Sequence, residues 1–226
     1  MLFFGQLRIL KLLLLLKYWG GKIITILYVI RHGQSQANAK GILQGSQIDT
    51  PLTSKGKKQA EDVGVQLKQQ KINFDLVYAS PLLRAAQTAA IIAPKLTTVF
   101  DNRLKEFDYG SWDGELEKTI WQKFPDCFDL RHNLLPGTAE VNHGENFAQV
   151  TFRLQQLFAE LVEHYPTKKI LIASHGFTIK LMLNAVLGIN RLSSLNEPTN
   201  AGLTKIELTP QTQTVYYFNR DLTTAN

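Results

Sequence analysis

Ile26-Leu27-Tyr28-Val29-Ile30-Arg31-His32-Gly33 and Ile170-Leu171-Ile172-Ala173-Ser174-His175-Gly176 share one local frame. Each is an apolar, β-prone run closed by a polar residue, then histidine, then glycine, as suits a strand buried on both faces. Placed as parallel strands of one sheet, both runs deliver an imidazole to the carboxyl edge, where open α/β sheets bind ligands. Two imidazoles at such an edge, one with Arg31 as its chain neighbour, point to a site that handles a phosphate.

Outward from these runs, strand and helix patterns alternate. Residues 23–30 read as the first strand, followed by a polar loop to Thr50. A helix follows over 54–70 with Thr53 as N-cap, then a strand over 74–79. Ser80-Pro81 starts a helix that runs to about 93, with Pro81 at its first position, and 96–100 is a third strand. Phe147, Val150, Leu154, Leu157, Phe158 and Leu161 recur at helical spacing within a helix over 145–165, the mark of a core-packing face. A strand over 169–173, a helix over 177–187 ended by Gly188, and closing strands over 203–208 and 214–218 complete the chain. Residues 101–144 lack periodicity, and so long a segment in an α/β domain is usually a lid or binding insertion. The expected fold is α/β, a mainly parallel sheet covered by helices on both faces.

Composition narrows the partners. At 226 residues with 44% apolar and 19% charged content, the chain suits one globular domain. The single cysteine, Cys127, excludes an internal disulfide and fits a reducing, cytoplasmic setting. It has no base beside it and reads as a bland side chain. The net charge is +6, but Arg8, Lys11, Lys17 and Lys22 supply four positives before residue 23, where there is no acid, leaving +2 for the rest. No basic run interleaved with aromatics follows, so nucleic acid is a poor partner.

Residues 1–22 stand apart as a leader. Lys11 and Lys17 bound the apolar 12–16 run, which is far too short to span a membrane. Tyr18-Trp19-Gly20-Gly21 supplies no convincing cleavage site for a signal peptide. Translation from a mis-set start is the favoured reading, with an amphipathic helix on a membrane surface next. The domain itself is expected over 23–226, with a cap at about 111–144. Oligomeric state is not legible.

Phosphoryl transfer without a metal needs a nucleophile that can leave again, cations for the phosphoryl oxygens, and an acid for the departing alcohol. Imidazole suits the first role. The planar fork of arginine suits the second, and a carboxyl with a raised pKa the third. His32 and His175, Arg31, Arg84 and Glu106 supply these types: the histidines and Arg31 at expected strand ends, Arg84 on the first turns of the helix after the second strand, and Glu106 just after the third strand. Nearby cations disfavour protonation of His32 and keep it nucleophilic.

At these residues the chain resembles the histidine phosphatase superfamily, in its phosphoglycerate-mutase-like branch. The likeness runs through Arg31-His32-Gly33-Gln34-Ser35-Gln36-Ala37-Asn38, Leu43-Gln44-Gly45 with 49–56, Ser80-Pro81-Leu82-Leu83-Arg84, 106–114, Gly144-Glu145 and Ser174-His175-Gly176, in order over about 23–218. It implies a three-layer α/β/α sandwich and a phosphohistidine formed on His32. It further implies that Arg31, Arg84 and His175 hold the phosphoryl group, and that Glu106 protonates the leaving oxygen and then activates water. Asn38, Gln44, Gly45 and Gly176 would line the phosphate pocket. No metal and no cofactor are implied, and the partner is a small phosphorylated metabolite.

Asp108 competes with Glu106 as the acid, and motif position favours Glu106. Arg131, His132 and His143 read as solvated surface, and Trp112, Asp113 and Trp121 as cap packing. Mutases of the family carry Arg-His after the acid and paired arginines in the cap; here Phe107-Asp108 follows it and the insertion holds only Arg131. A phosphomonoesterase is therefore expected. A mutase, or a non-catalytic module that binds a phospholigand, is the alternative.

Overall fold

The computed structural model describes residues 23–223; the leader, residues 1–22, lies outside the described residues. Six strands form one sheet: β1 (Thr25–Arg31), β2 (Leu76–Ala79), β3 (Thr98–Phe100), β4 (Lys169–Ser174), β5 (Leu203–Leu208) and β6 (Gln213–Arg220), in the order β3-β2-β4-β1-β5-β6. The β3-β2, β2-β4 and β4-β1 pairs are parallel, whereas β5 and β6 close the sheet antiparallel.

Successive side chains of a strand face opposite ways, and the central strands use both sides. Leu27, Val29, Ile170 and Ile172 belong to one core, and Tyr28, Ile30, Leu171 and Ala173 to the other. The helices are α1 (Gln36–Lys40), α2 (Ser54–Gln69), α3 (Leu83–Ile92), α4 (Glu117–Lys123), α5 (Ala139–Asn142), α6 (Phe147–His164) and α7 (Gly176–Leu187). Helices α6 and α7 cover the first core, with Val150, Leu154, Leu157 and Phe158 packed beside Phe177 and Leu181. Helices α2 and α3 cover the second through Val63, Leu67, Ala85 and Ala89. This is the expected three-layer α/β/α arrangement. Among the described residues, no helix is long and apolar enough to cross a membrane.

Two local expectations fail for physical reasons. The polar loop after the first strand contains α1, a single turn held by a capping box between Ser35 and Asn38. Pro81 does not begin α3. The helix starts at Leu83 after a Leu82 cap that offers no side-chain hydrogen bond, and its first amide donates to both oxygens of Asp49, at 2.8 and 3.0 Å. A carboxylate from a distant loop thus sets the helix start.

Candidate active site

The β1-β4 register puts Arg31 opposite Ser174, and His32 N–H donates to the Ser174 carbonyl at 2.9 Å. Both histidines therefore leave the sheet at one level, one residue beyond adjacent parallel strands. Their rings meet edge-on with centroids 5.2 Å apart. Nδ1 of His32 lies 2.7 Å from the Gly33 carbonyl. A carbonyl only accepts, so Nδ1 carries the proton and Nε2 keeps its lone pair. Burial, then Arg84, then Arg31 hold the His32 pKa well below its usual value, and burial and the same cations do so for His175.

The two arginines are held from behind. Arg84, fully buried, donates from Nη1 to the Ile48 carbonyl at 3.0 Å and from Nη2 to the Gly45 carbonyl at 2.9 Å. Burial pushes its pKa down to about 10, which still leaves it charged at neutral pH. Arg31 donates from Nη1 to the Pro198 carbonyl at 2.6 Å and lies 3.4 Å from Glu197. Nε of both arginines and both ring nitrogens of His175 are buried without a hydrogen-bond partner. Buried donors left open in this way suit an anion.

Glu106 faces the start of α7. Its Oε1 accepts from Phe107 N, Thr178 N and Thr178 Oγ1, each at 2.9 Å, and its Oε2 accepts only from Phe177 N, at 3.2 Å. Burial, reinforced by the charge of Glu197, pushes its pKa up against these hydrogen bonds and Arg84. The segment carrying it is clamped from α6: Arg153 donates to the Arg103 and Lys105 carbonyls and to Glu145, whose Oε2 also takes Asp108 N. Asp108, the competing acid, is engaged by Gly110 N and Gln47 Nε2.

The remaining sequence candidates sit around this centre in supporting positions. Asn38 Oδ1 accepts from Ser35 N and from Asn200, which also donates to the His32 carbonyl. Gln44 is buried with its carboxamide between Ser35 and Thr50. Gly45 meets Arg84 through its carbonyl. Gly176 lets Glu197 and Arg31 pack against the chain: a Cβ there would lie 2.1 Å from Glu197 Oε2 and 2.8 Å from Arg31 Cζ, and both side chains would have to shift. Asp113, expected as packing, accepts from Gly45 N and Gln47 N and so fastens the loop that holds Arg84.

Glu197, 3.4 Å from Arg31, also lines a cavity of about 230 Å³ whose walls include Tyr109, Glu117, His132 and Lys180. His132, expected as solvated surface, is exposed but stacks on Trp121 at 4.1 Å. Thr178, Lys180, Glu117 and Glu197 escaped the reading of the sequence. Thr178 is implicit in the His175-Gly176 frame, since a helix starting there presents free amides. Lys180 is the one charge within the apolar 177–183 run, a pattern that marks a buried, purposeful cation. Glu117 and Glu197 carry no local signal.

A sequence model of the histidine phosphatase superfamily (branch 1) matches residues 27–221. Phosphoserine phosphatase 1 of Hydrogenobacter thermophilus is 31% identical over 73% of this chain and 77% of its own. Among solved structures, phosphoserine phosphatase of Entamoeba histolytica, a mutant in complex with phosphoserine, superimposes with a TM-score of 0.73 at 28% identity, over 87% of this chain and 98% of that one. Phosphoglycerate mutase from Bacillus anthracis shares the fold, with a TM-score of 0.75 at 22% identity over 89% of this chain and 95% of its own. With a family model matched over residues 27–221 and a relative 31% identical over 73% of the chain, the chain belongs to the histidine phosphatase superfamily.

Proposed function

We propose that this protein hydrolyses a small phosphomonoester through a phosphohistidine on His32, with Arg31, Arg84 and His175 holding the phosphoryl group and Glu106 as acid and base. The observation that carries the reading is the state of His32. Its Nδ1 proton is fixed on the Gly33 carbonyl, and its pKa is held down by burial and two arginines, which leaves a neutral Nε2 beside open cationic donors.

In the first step Nε2 attacks phosphorus; the P–N bond forms as the ester P–O bond breaks, and a proton passes from Glu106 to the departing oxygen. Oε1 is occupied by three donors, so Oε2 is the oxygen that holds this proton. In the second step Glu106 takes a proton from water as the water oxygen attacks phosphorus. The P–N bond breaks, its electron pair returns to Nε2, and inorganic phosphate leaves. The single cysteine, which leaves no internal disulfide, supports action in the cytoplasm.

Rapid acid and alkali quenching with phosphorus-labelled substrate tests the route. A phosphoramidate label survives alkali and not acid, and His32→Ala abolishes both label and turnover. Release of phosphate is expected to outpace interconversion of 2- and 3-phosphoglycerate. The reverse order would replace hydrolysis by the mutase reading.

A further inference from the structure

Arg84 is a buried cation held by backbone. Its two Nη groups rest on the Ile48 and Gly45 carbonyls, and its Nε has no partner. Among the described residues only Asp49 comes within ion-pair distance of it, at 3.7 Å, and both Asp49 oxygens are already engaged by Leu83 N. A guanidinium seated on carbonyls keeps its charge for an incoming anion, whereas a bidentate carboxylate would compete for the same fork. Its aim is then set by the segment that owns the carbonyls.

That segment, residues 43–49, belongs to no helix or strand. Asp113 fastens it from behind: one carboxylate oxygen accepts from Gly45 N at 2.5 Å and the other from Gln47 N at 2.7 Å. The backbone around Asp113 adds to the seam, with Leu43 N donating to the Glu115 carbonyl at 2.8 Å and Gly114 N to the Leu43 carbonyl at 2.9 Å. On its other side the loop meets the segment that carries Glu106. A Cβ on Gly45 would lie 2.6 Å from the Phe107 carbonyl, and Gln47 Nε2 reaches Asp108 at 2.8 Å. Asp113 is half-buried, and burial pushes its pKa up against the two amide hydrogen bonds. A carboxylate kept in such a place needs those amides as much as they need it.

We infer that Asp113 is a positioning residue for phosphoryl transfer: acting through the loop, it aims the Arg84 guanidinium at the phosphoryl group and keeps it in register with Glu106. The inference rests on the phosphatase reading above and extends it to a residue that touches neither substrate nor Arg84. One carboxylate thereby ties the arginine that holds the phosphoryl group to the segment that carries the acid.

The test uses the full-length protein, with inorganic phosphate titrated by calorimetry as a readout that needs no turnover. Asp113→Asn keeps the size but leaves one oxygen facing two amides, so a loop amide loses its partner. The Kd for phosphate and the KM for p-nitrophenyl phosphate and 3-phosphoglycerate should rise together by about 10- to 100-fold, the scale of a hydrogen bond to a charged group. Asp113→Glu keeps the charge and shifts the loop by one methylene. It should raise Kd by a smaller factor, and it carries the same comparison if the asparagine variant does not fold. Arg84→Lys keeps a charge without the fork. In that background the Asp113 substitution should change Kd by less than about threefold, because residues that act as a unit are not additive. A full-sized effect in the lysine background, or a fall in binding stoichiometry with Kd unchanged, would overturn the inference and leave the phosphatase reading standing. A folded protein that binds phosphate but hydrolyses neither ester would end the phosphatase reading, and the phosphate constants would still decide whether Asp113 acts through Arg84. A folded protein that does not bind phosphate would end both.

Discussion

Two carboxylates of the candidate site have different surroundings. Glu106 is buried on the amides that open α7, and its pKa is pushed up first by burial and then by the charge of Glu197. Glu197 is more exposed and rests on Arg31. Raising one carboxyl with another is a recurrent way to keep an acid protonated near neutrality. Replacing Glu197 with glutamine removes that charge at nearly constant volume. The Glu106 proton is then lost at lower pH, so the alkaline limb of the kcat/KM profile should move to lower pH. A limb that stays in place would mean that burial alone holds the proton.

At the scale of elements, Glu106 is only as well placed as the segment that carries it. Residues 101–110 follow the short edge strand β3 and form no long element of their own. Their position is borrowed from α6, where Arg153 spans the Arg103 and Lys105 carbonyls and Glu145, while Glu145 takes the Asp108 amide. A guanidinium is suited to this because its planar fork reaches several acceptors at once. Arg153→Met keeps the aliphatic stem and removes the fork. It should cost about 2–3 kcal/mol in urea unfolding and reduce kcat most for substrates with poor leaving groups. A loss of stability with an unchanged dependence on leaving group would show that the clamp serves the fold and not Glu106.

At the scale of the whole molecule, the site ties stability to pH. His32 and His175 are buried, with folded pKa values held well below 6.5. Above 6.5 both folded and unfolded chains leave them neutral, and their contribution is fully present. Below it the unfolded chain binds protons that the folded one refuses, so stability falls with pH, by at most about 1.4 kcal/mol per pH unit for each ring. Glu106 acts in the opposite sense. Its raised folded pKa adds stability that is complete below the unfolded value of 4.5 and lost as pH rises through the folded one. Urea unfolding between pH 7 and pH 5 should therefore show declining stability. His175→Asn should reduce that slope by up to about 1.4 kcal/mol per pH unit. An identical slope in the variant would place the sensitivity elsewhere.

Much of this molecule was determined by sequence alone. Two strand runs ending in His-Gly, with helical periodicity between them, specify parallel strands and both imidazoles at one edge, because alternation and strand-end position are local properties of a chain. Arg84, in the first turn of a helix after the second strand, and Glu106, after the third, were legible through the family motif they belong to. The start of α3 was not, since it depends on a carboxylate 34 residues away in the chain. The polar roles of Asp113 and Asn200, the clamp on Glu106 and the charges facing the cavity were equally hidden. Glu117 enters from α4, Lys180 from α7 and Glu197 from the loop before β5. Their proximity exists only once the chain has closed, because an electrostatic environment is set by distances through space and no local pattern encodes them.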